Sequence, residues 1–391
     1  MKKFISVILS CVVSASVALS LLPGKNVNAL ASEYVSNKWT VFCYFCGSNL
    51  EEDDSATNDI MEMVETSRGT DLRYVVLCGG SNVDHEYFKT YATFTILIEN
   101  GRIYKVGSGE LRNMGSGPTL SEFLSWGSIV FPSEKSGVII WDHGAGAIGG
   151  CCYDDLFEFD NLTLPEMDIA FQKVADARNK KYDFIAYDCC EMASLELACI
   201  LEDDADYLVA SQDVMPAEGF DYTAITDYIV NNPDSDTYSV CESLCNGYWD
   251  SFGNDVPYFA TISIMDLNKL DTFMVTLDRY CESVDSSMSS ASYSSFRSAL
   301  NDEVDIDVNM VDLNAFIGCC SDYSDPSSFA MNETVAEFIP YSRHGSSHDG
   351  VSGVTLYIPL GALSGDEAEI FEDILPDYDG YTDLIYDVTG Y

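Results

Sequence analysis

Basic side chains are scarce in this chain: 19 Lys and Arg stand against 64 Asp and Glu, a formal net charge of -45 over 391 residues. So acidic a surface repels nucleic acid phosphates and anionic lipids, which excludes both as partners. It favours cationic ligands, basic peptides and calcium among them. Beyond Leu22 no apolar run reaches the roughly 18 residues that a membrane-spanning helix needs. Histidine is nearly missing, with four in the whole sequence, and no internal repeat is present. What the chain does have is a hydrophobic share of 47% with 12% aromatics, enough to fold a core in spite of its charge.

The N-terminus is laid out as a signal peptide over residues 1–31. Met1-Lys2-Lys3 precedes the apolar run from Phe4 to Leu22, and Ala29-Leu30-Ala31 offers a small-x-small cleavage site before Ser32. Cys11 lies mid-run, not where a lipid-anchor motif would put it. The mature protein is therefore expected to be soluble and secreted. Of 14 cysteines, thirteen remain after Ser32, an odd number that permits at most six bridges and leaves at least one thiol free. Cys43-x-x-Cys46 has zinc-like spacing but lacks a second pair, so no metal is assigned to it.

From about residue 39, short apolar strands alternate with amphipathic segments, the pattern of an α/β sheet covered by helices on both faces. The strand candidates are Thr40–Cys46, Leu72–Cys78, Val138–Trp141, Tyr182–Tyr187 and Tyr207–Ala210, with a hairpin from Tyr91–Ile98 to Arg102–Val106 turning at Asn100-Gly101. Thr119-x-x-Glu122 and Thr163-x-x-Glu166 are capping-box patterns that predict helix starts. Gly149-Gly150 and the acidic stretch Asp154–Asp160 predict a loop. Past residue 266 the pattern turns mainly helical, with a Ser-rich stretch at 286–298 and a late strand at Val354–Pro359. This predicts a catalytic domain over 32–265 and a smaller C-terminal region over 266–391.

Only His143 among the histidines directly follows an apolar strand, in Trp141-Asp142-His143-Gly144-Ala145-Gly146. The carboxyl ends of strands are where α/β sheets build sites. The next strand ends in Asp188-Cys189-Cys190 and is expected to turn straight into a helix from Glu191 to Leu201, whose N-terminus would lower the thiol pKa. Base and nucleophile could meet there. Alternation along an extended chain puts Asp188 and Cys190 on one side and Cys189 on the other. Asp188 then has two open roles, pairing with a substrate cation or capping the following helix.

At this point the chain resembles the clostripain-like cysteine peptidases. Asp188-Cys189-Cys190-Glu191-Met192-Ala193-Ser194 is similar to their nucleophile motif, and Trp141-Asp142-His143-Gly144-x-Gly146 to their histidine motif. Trp39-Thr40-Val41 with Asn49-Leu50-Glu51, Asn113-Met114-Gly115, the Ser211 to Tyr222 segment and Ser352–Pro359 are similar as well. The resemblance implies a caspase-like fold with a mostly parallel sheet, and a Cys-His dyad that hydrolyses protein or peptide substrates after Arg or Lys. By motif it makes Cys190 the nucleophile, His143 the base, Asp188 the acid of the basic-side-chain pocket, and the Gly144 and Cys190 backbone N–H groups the oxyanion donors. It implies no required cofactor, with calcium dependence in some members.

The match has departures. Cys189 and Glu191 replace the small and apolar neighbours usual around the nucleophile, and Ala147 replaces a common tryptophan. No Lys or Arg occurs between Lys135 and Lys173, so the loop that carries a self-cleavage site in some members offers none, and an intact chain or maturation by another protease is expected. Two competing readings are a surface binding protein that no longer cleaves, and a cysteine peptidase of other specificity. For metals, His344-x-x-x-His348 lacks a third ligand. Asp305-x-Asp307-x-Asn309 opens like an EF-hand loop but is followed by Met310 and Phe316 where glycine and glutamate belong. Glu51–Asp54 is expected to be a solvated acidic cluster.

Overall fold

Runs such as Val41–Cys46 and Val138–Trp141 carry apolar side chains on both faces of a strand, and a strand of that kind is stable only where helices cover both sides. The computed structural model describes residues 37–69, 71–178, 180–303, 309–359, 374–375 and 378–389. The expected signal peptide and most of the EF-hand-like stretch lie outside these residues. In chain order the strands are β1 (Asn37–Cys46), β2 (Leu72–Gly79), β3 (Phe94–Glu99), β4 (Arg102–Ser108), β5 (Ser133–Trp141), β6 (Cys151–Asp154) and β7 (Asp160–Leu162). They continue with β8 (Tyr182–Asp188), β9 (Ala205–Ala210), β10 (Thr261–Asp266), β11 (Met310–Asp312), β12 (Tyr341–His344) and β13 (Thr355–Tyr357).

Nine of these strands form one sheet in the order β12-β10-β9-β8-β5-β1-β2-β3-β4. The central five, from β9 to β2, are parallel, and antiparallel strands border them on both sides. The chain leaves β1 toward β2 and later returns to the other side of β1 as β5, so strand order reverses between β1 and β5. A crevice at such a reversal, outside the carboxyl ends of the strands, is the usual place for a site.

Alternate residues of each strand feed opposite cores. Phe42, Tyr44 and Cys46 pack with the helices Gly117–Val130 and Leu164–Arg178, while Val41, Cys43 and Phe45 pack with Ser55–Thr66, Tyr222–Asn231 and Thr237–Ser251. Cys43 and Cys46 therefore point into opposite faces, which breaks up the Cys-x-x-Cys pair as a metal site. All thirteen cysteines after Ser32 are free thiols. Among the described residues no helix is long and apolar enough to cross a membrane.

The hairpin turn falls at Asn100-Gly101, both with positive φ (56° and 71°), the geometry that asparagine and glycine permit. Thr163 and Glu166 form half of the expected capping box: the Thr163 N–H donates to Glu166 Oε2 at 3.2 Å, while the Thr163 hydroxyl donates to the same carboxylate at 3.0 Å. The earlier helix departs from expectation. Ser116 is its N-cap, Gly117 and Pro118 take the first turn, and Glu122 is drawn to Arg112 instead of capping. The segment expected as a loop from Gly149-Gly150 through Asp154–Asp160 is bracketed by the small antiparallel pair β6-β7, which pairs Cys151 with Leu162 and Asp154 with Asp160. After residue 266 come mainly helices, yet β12 joins the edge of the large sheet against β10. β11 and β13 pair with each other, and the Thr355 N–H donates to Ala193 O at 2.9 Å, just beyond the end of β8.

Candidate active site

β5 and β8 are adjacent and parallel, and their last paired residues are Trp141 and Asp188. The Asp142 N–H donates to Asp188 O at 3.3 Å, carrying the register one step further. His143 and Cys190 thus occupy equivalent positions, each two residues past Trp141 and Asp188 on neighbouring strands about 4.8 Å apart. Gly144 shows how closely the two exits approach: a Cβ there would lie 2.1 Å from the Cys190 carbonyl oxygen. Only a residue without a side chain fits. The bridge between Gly144 and Cys151 is made by their neighbours, Ala145 N–H to Gly150 O (2.9 Å) and Cys152 N–H to His143 O (3.2 Å). The Gly144 N–H itself is directed away from that ladder.

The imidazole of His143 is held by a residue that sequence reasoning had not assigned. Asn49, in the turn that follows β1, places Oδ1 2.7 Å from His143 Nε2. With the amide so oriented, Nε2 carries the proton and Nδ1 is left as the basic nitrogen. Burial lowers the histidine pKa, opposed by the Asp155 carboxylate, so the ring is neutral near pH 7. The same turn is anchored by Ser48, whose hydroxyl donates to Asp142 Oδ1 at 2.5 Å. Burial pushes Asp142 up to about 8. Asn49-Leu50-Glu51 stands out in the sequence as a motif just past β1, but that this strand lies beside β5 is visible only in the sheet order.

The two cysteines separate as alternation required. Cys189 is buried, with Sγ 3.6 Å from Ile140 O on one face of the sheet. Cys190 is half-buried on the other face, and its sulfur accepts the Met215 N–H at 3.3 Å. The expected helix directly after Cys190 is not formed. Glu191 takes a left-handed φ of 61°, and the helix begins only at Leu195, where the Ser194 hydroxyl caps the Leu197 N–H at 3.1 Å. Cys190 consequently gains nothing from a helix N-terminus. Burial raises its pKa, the Met215 N–H lowers it, and the carboxylates of Glu191, Asp188 and Asp213 raise it further.

Asp188 is buried on the face that Cys190 shares. Its carboxylate accepts the Phe220 N–H at 3.1 Å and the Tyr222 hydroxyl at 3.0 Å, so it does not cap the helix that follows. Gly219, with φ 58°, is required there, because a Cβ would come 2.7 Å from Asp188 Oδ1. Burial pushes the Asp188 pKa up to about 7 despite these two donors.

A family model of the clostripain family, the C11 peptidases, matches residues 43–370. The chain belongs to that family. It is a cysteine endopeptidase, and the large, mostly parallel sheet described above matches the fold of solved C11 proteases. A secreted C11 cysteine protease from Bacteroides thetaiotaomicron, solved with an irreversible peptide inhibitor, is similar in fold (TM-score 0.65, 17% identity, 89% of this chain and 99% of that one). So is iotapain from the same organism (TM-score 0.66, 18% identity, 90% and 99%). An inactive zymogen C11 protease from Parabacteroides distasonis is similar too (TM-score 0.65, 18% identity, 90% and 99%). No curated protein matches the chain.

Among the described residues, one group of this C11 peptidase could hold a metal: Glu51, Asp54 and His85. The His85 Nδ1 lies 3.2 Å from Glu51 and 3.0 Å from Asp54. Glu51 is buried and its other oxygen accepts the Thr57 N–H at 3.1 Å. Calcium takes 6–8 oxygen ligands, and two carboxylates already engaged by an imidazole and an amide do not fit it. The group instead pins the turn that carries Asn49. His344 and His348 do not converge, since His344 contacts Gly345 O and His348 contacts Asp213. Beside Cys190 a cavity of about 580 Å³ opens between Glu191 and Asp213 on one wall and residues of the C-terminal region, including Asp312, His348 and Asp349, on the other.

Proposed function

We propose that this endopeptidase cleaves after Arg or Lys with a His143–Cys190 dyad, and that it works outside the cell. The observation that carries the dyad is the register of β5 and β8, which brings the strand exits bearing His143 and Cys190 side by side. His143 Nδ1 takes the Cys190 proton, and the thiolate attacks the scissile carbonyl carbon. The backbone N–H groups of Gly144 and Cys190 bind the oxyanion. His143 returns its proton to the leaving amine, a thioester remains, and water deprotonated by His143 hydrolyses it. Asn49 keeps the ring in the required tautomer throughout.

Preference for a basic side chain rests on Asp188. A buried carboxyl near its ionisation point gains a full charge when a guanidinium or ammonium arrives, and an apolar side chain there leaves it without a counter-charge despite its two hydrogen-bond donors. The acidic surface suits such substrates. Export is supported by the N-terminal charge-then-apolar layout and by relatives described as secreted. No step requires a cofactor. Fluorogenic peptides carrying Arg, Lys, Asp or Leu at the cleaved position test this reading. Turnover of the Arg and Lys peptides that vanishes in Cys190→Ala is expected, and no turnover of any peptide under reducing conditions with calcium present defeats it.

A further inference from the structure

We propose that Asp213 and His348 are positioning residues for the Cys190 thiol, a latch by which the C-terminal region holds the loop that donates a hydrogen bond to the nucleophile. This rests on the reading of Cys190 as the nucleophile. The donor is the Met215 N–H, 3.3 Å from Cys190 Sγ, on the loop that follows β9. Two residues earlier, Asp213 is tied to the nucleophile segment through its carbonyl, which accepts the Glu191 N–H at 3.2 Å. Its carboxylate then faces two ways. Oδ1 accepts the Val214 N–H at 2.5 Å, shaping the turn toward Met215, and Oδ2 meets His348 Nε2 at 2.6 Å.

His348 is itself fixed from behind. Its N–H donates to Gly345 O at 3.1 Å, the Ser347 N–H donates to Tyr258 O at 2.9 Å, and the Gly345 N–H donates to Ala260 O at 2.7 Å. A Cβ at Gly345 would lie 2.4 Å from the Pro257 and Tyr258 carbonyl oxygens, so the loop is pressed against the approach to β10. A continuous chain of bonds thus runs from the sheet edge through His348 and Asp213 to Met215 and the sulfur. A thiolate held among the carboxylates of Asp188, Glu191 and Asp213 depends on that one N–H, the hydrogen bond that draws its pKa back from the value burial imposes.

The test is the rate of Cys190 alkylation by iodoacetamide across pH, read at that cysteine by peptide mass spectrometry on the full mature chain, together with kcat and KM on an Arg peptide. His348→Ala should move the alkylation midpoint upward by about one pH unit, the worth of one hydrogen bond to a charged group. Asp213→Ala, which frees the same loop but also removes a carboxylate that raises the thiol pKa, should move it upward by less. Each should lower kcat with KM little changed. The double variant should be no worse than the worse single one, and His348→Gln, whose amide can still donate to Asp213, should recover most of the loss. A midpoint that stays put in folded His348→Ala, or single losses of kcat that multiply in the double variant, overturns the latch. Should His348→Ala fail to fold, His348→Leu decides the matter, since it fills the site, cannot bond Asp213 and leaves the Asp213 charge in place, with the same upward shift expected and no shift overturning the latch. A shifted midpoint in a protein that cleaves nothing would sink the functional reading and leave the latch standing. Cys190-dependent cleavage with an unmoved midpoint would do the reverse.

Discussion

Gly144→Ala perturbs the geometry on which the proposed chemistry depends. The added methyl carbon would sit 2.1 Å from Cys190 O, 3.0 Å from Met192 Cγ and 3.1 Å from Cys189 Cβ. Ordinary contact begins near 3.4 Å, so the backbone of one strand exit must move by more than 1 Å, and the atom that blocks it is a carbonyl oxygen rather than a flexible side chain. Overpacking of this kind costs about 1–3 kcal/mol of stability. Misplacing catalytic groups by about 1 Å costs roughly 10²-fold in rate. The expected result is a folded protein with a modestly lower melting temperature and kcat/KM on an Arg peptide reduced roughly 10²-fold. Gly318→Ala is the control: it lies in the helix Leu313–Ser321 with nothing near the added carbon, and should be neutral or slightly stabilising. A Gly144→Ala enzyme retaining more than half its activity would refute the claim that the exits of β5 and β8 approach this closely in the working site.

Asn49→Ala should lower kcat about ten- to a hundredfold with little change in KM, because it removes only the partner that orients His143; steady-state kinetics on one peptide checks this. Asp188→Ala should cut the preference for Arg and Lys over Leu by roughly 10²-fold, and an unchanged preference would remove Asp188 from the pocket. For pH, Asp188 and Glu196 titrate at about 7 and Asp142 at about 8 in the folded state, against about 4 when unfolded. The folded protein therefore binds more protons than the unfolded one between these values, and stability falls as pH rises from about 4 to 8. Calorimetry should give a higher melting temperature at pH 5 than at pH 8. Purified active enzyme should run as one species on denaturing gels, with no Cys190-dependent cut near residue 155.

The central strands were legible because Val41–Cys46 is an unbroken apolar run, while Leu72–Cys78 and Tyr182–Tyr187 are interrupted only by Arg73 and Asp183, and burial on both faces leaves few other arrangements. Asn100-Gly101 marked its turn for a purely local reason, the tolerance of both residues for positive φ. Less legible were elements decided by partners far along the chain. β12 is a polar tetrapeptide that becomes a strand only because β10 presents an open edge. β6 and β7 are only four and three residues long, and they pair across the acidic stretch Asp154–Asp160, which composition marks as a loop. The site was half visible: alternation put Cys189 and Cys190 on opposite faces, and the apolar run ending at Trp141 put His143 at a strand end, while the choice of Cys190 as nucleophile also drew on the resemblance of its motif. The helix expected after Cys190 was wrong because Glu191 adopts a left-handed conformation that no propensity signals. Asn49, Met215 and the donors to Asp188 all come from other strand exits, so only the sheet order could reveal them.

The most direct test of the central claim is to treat the active enzyme with an irreversible peptidyl electrophile ending in Arg and to locate the adduct by mass spectrometry. The expected result is one adduct, on Cys190, that forms far more slowly in His143→Ala. An adduct on Cys189 or any other cysteine, or labelling of Cys190 that ignores the loss of His143, would contradict it.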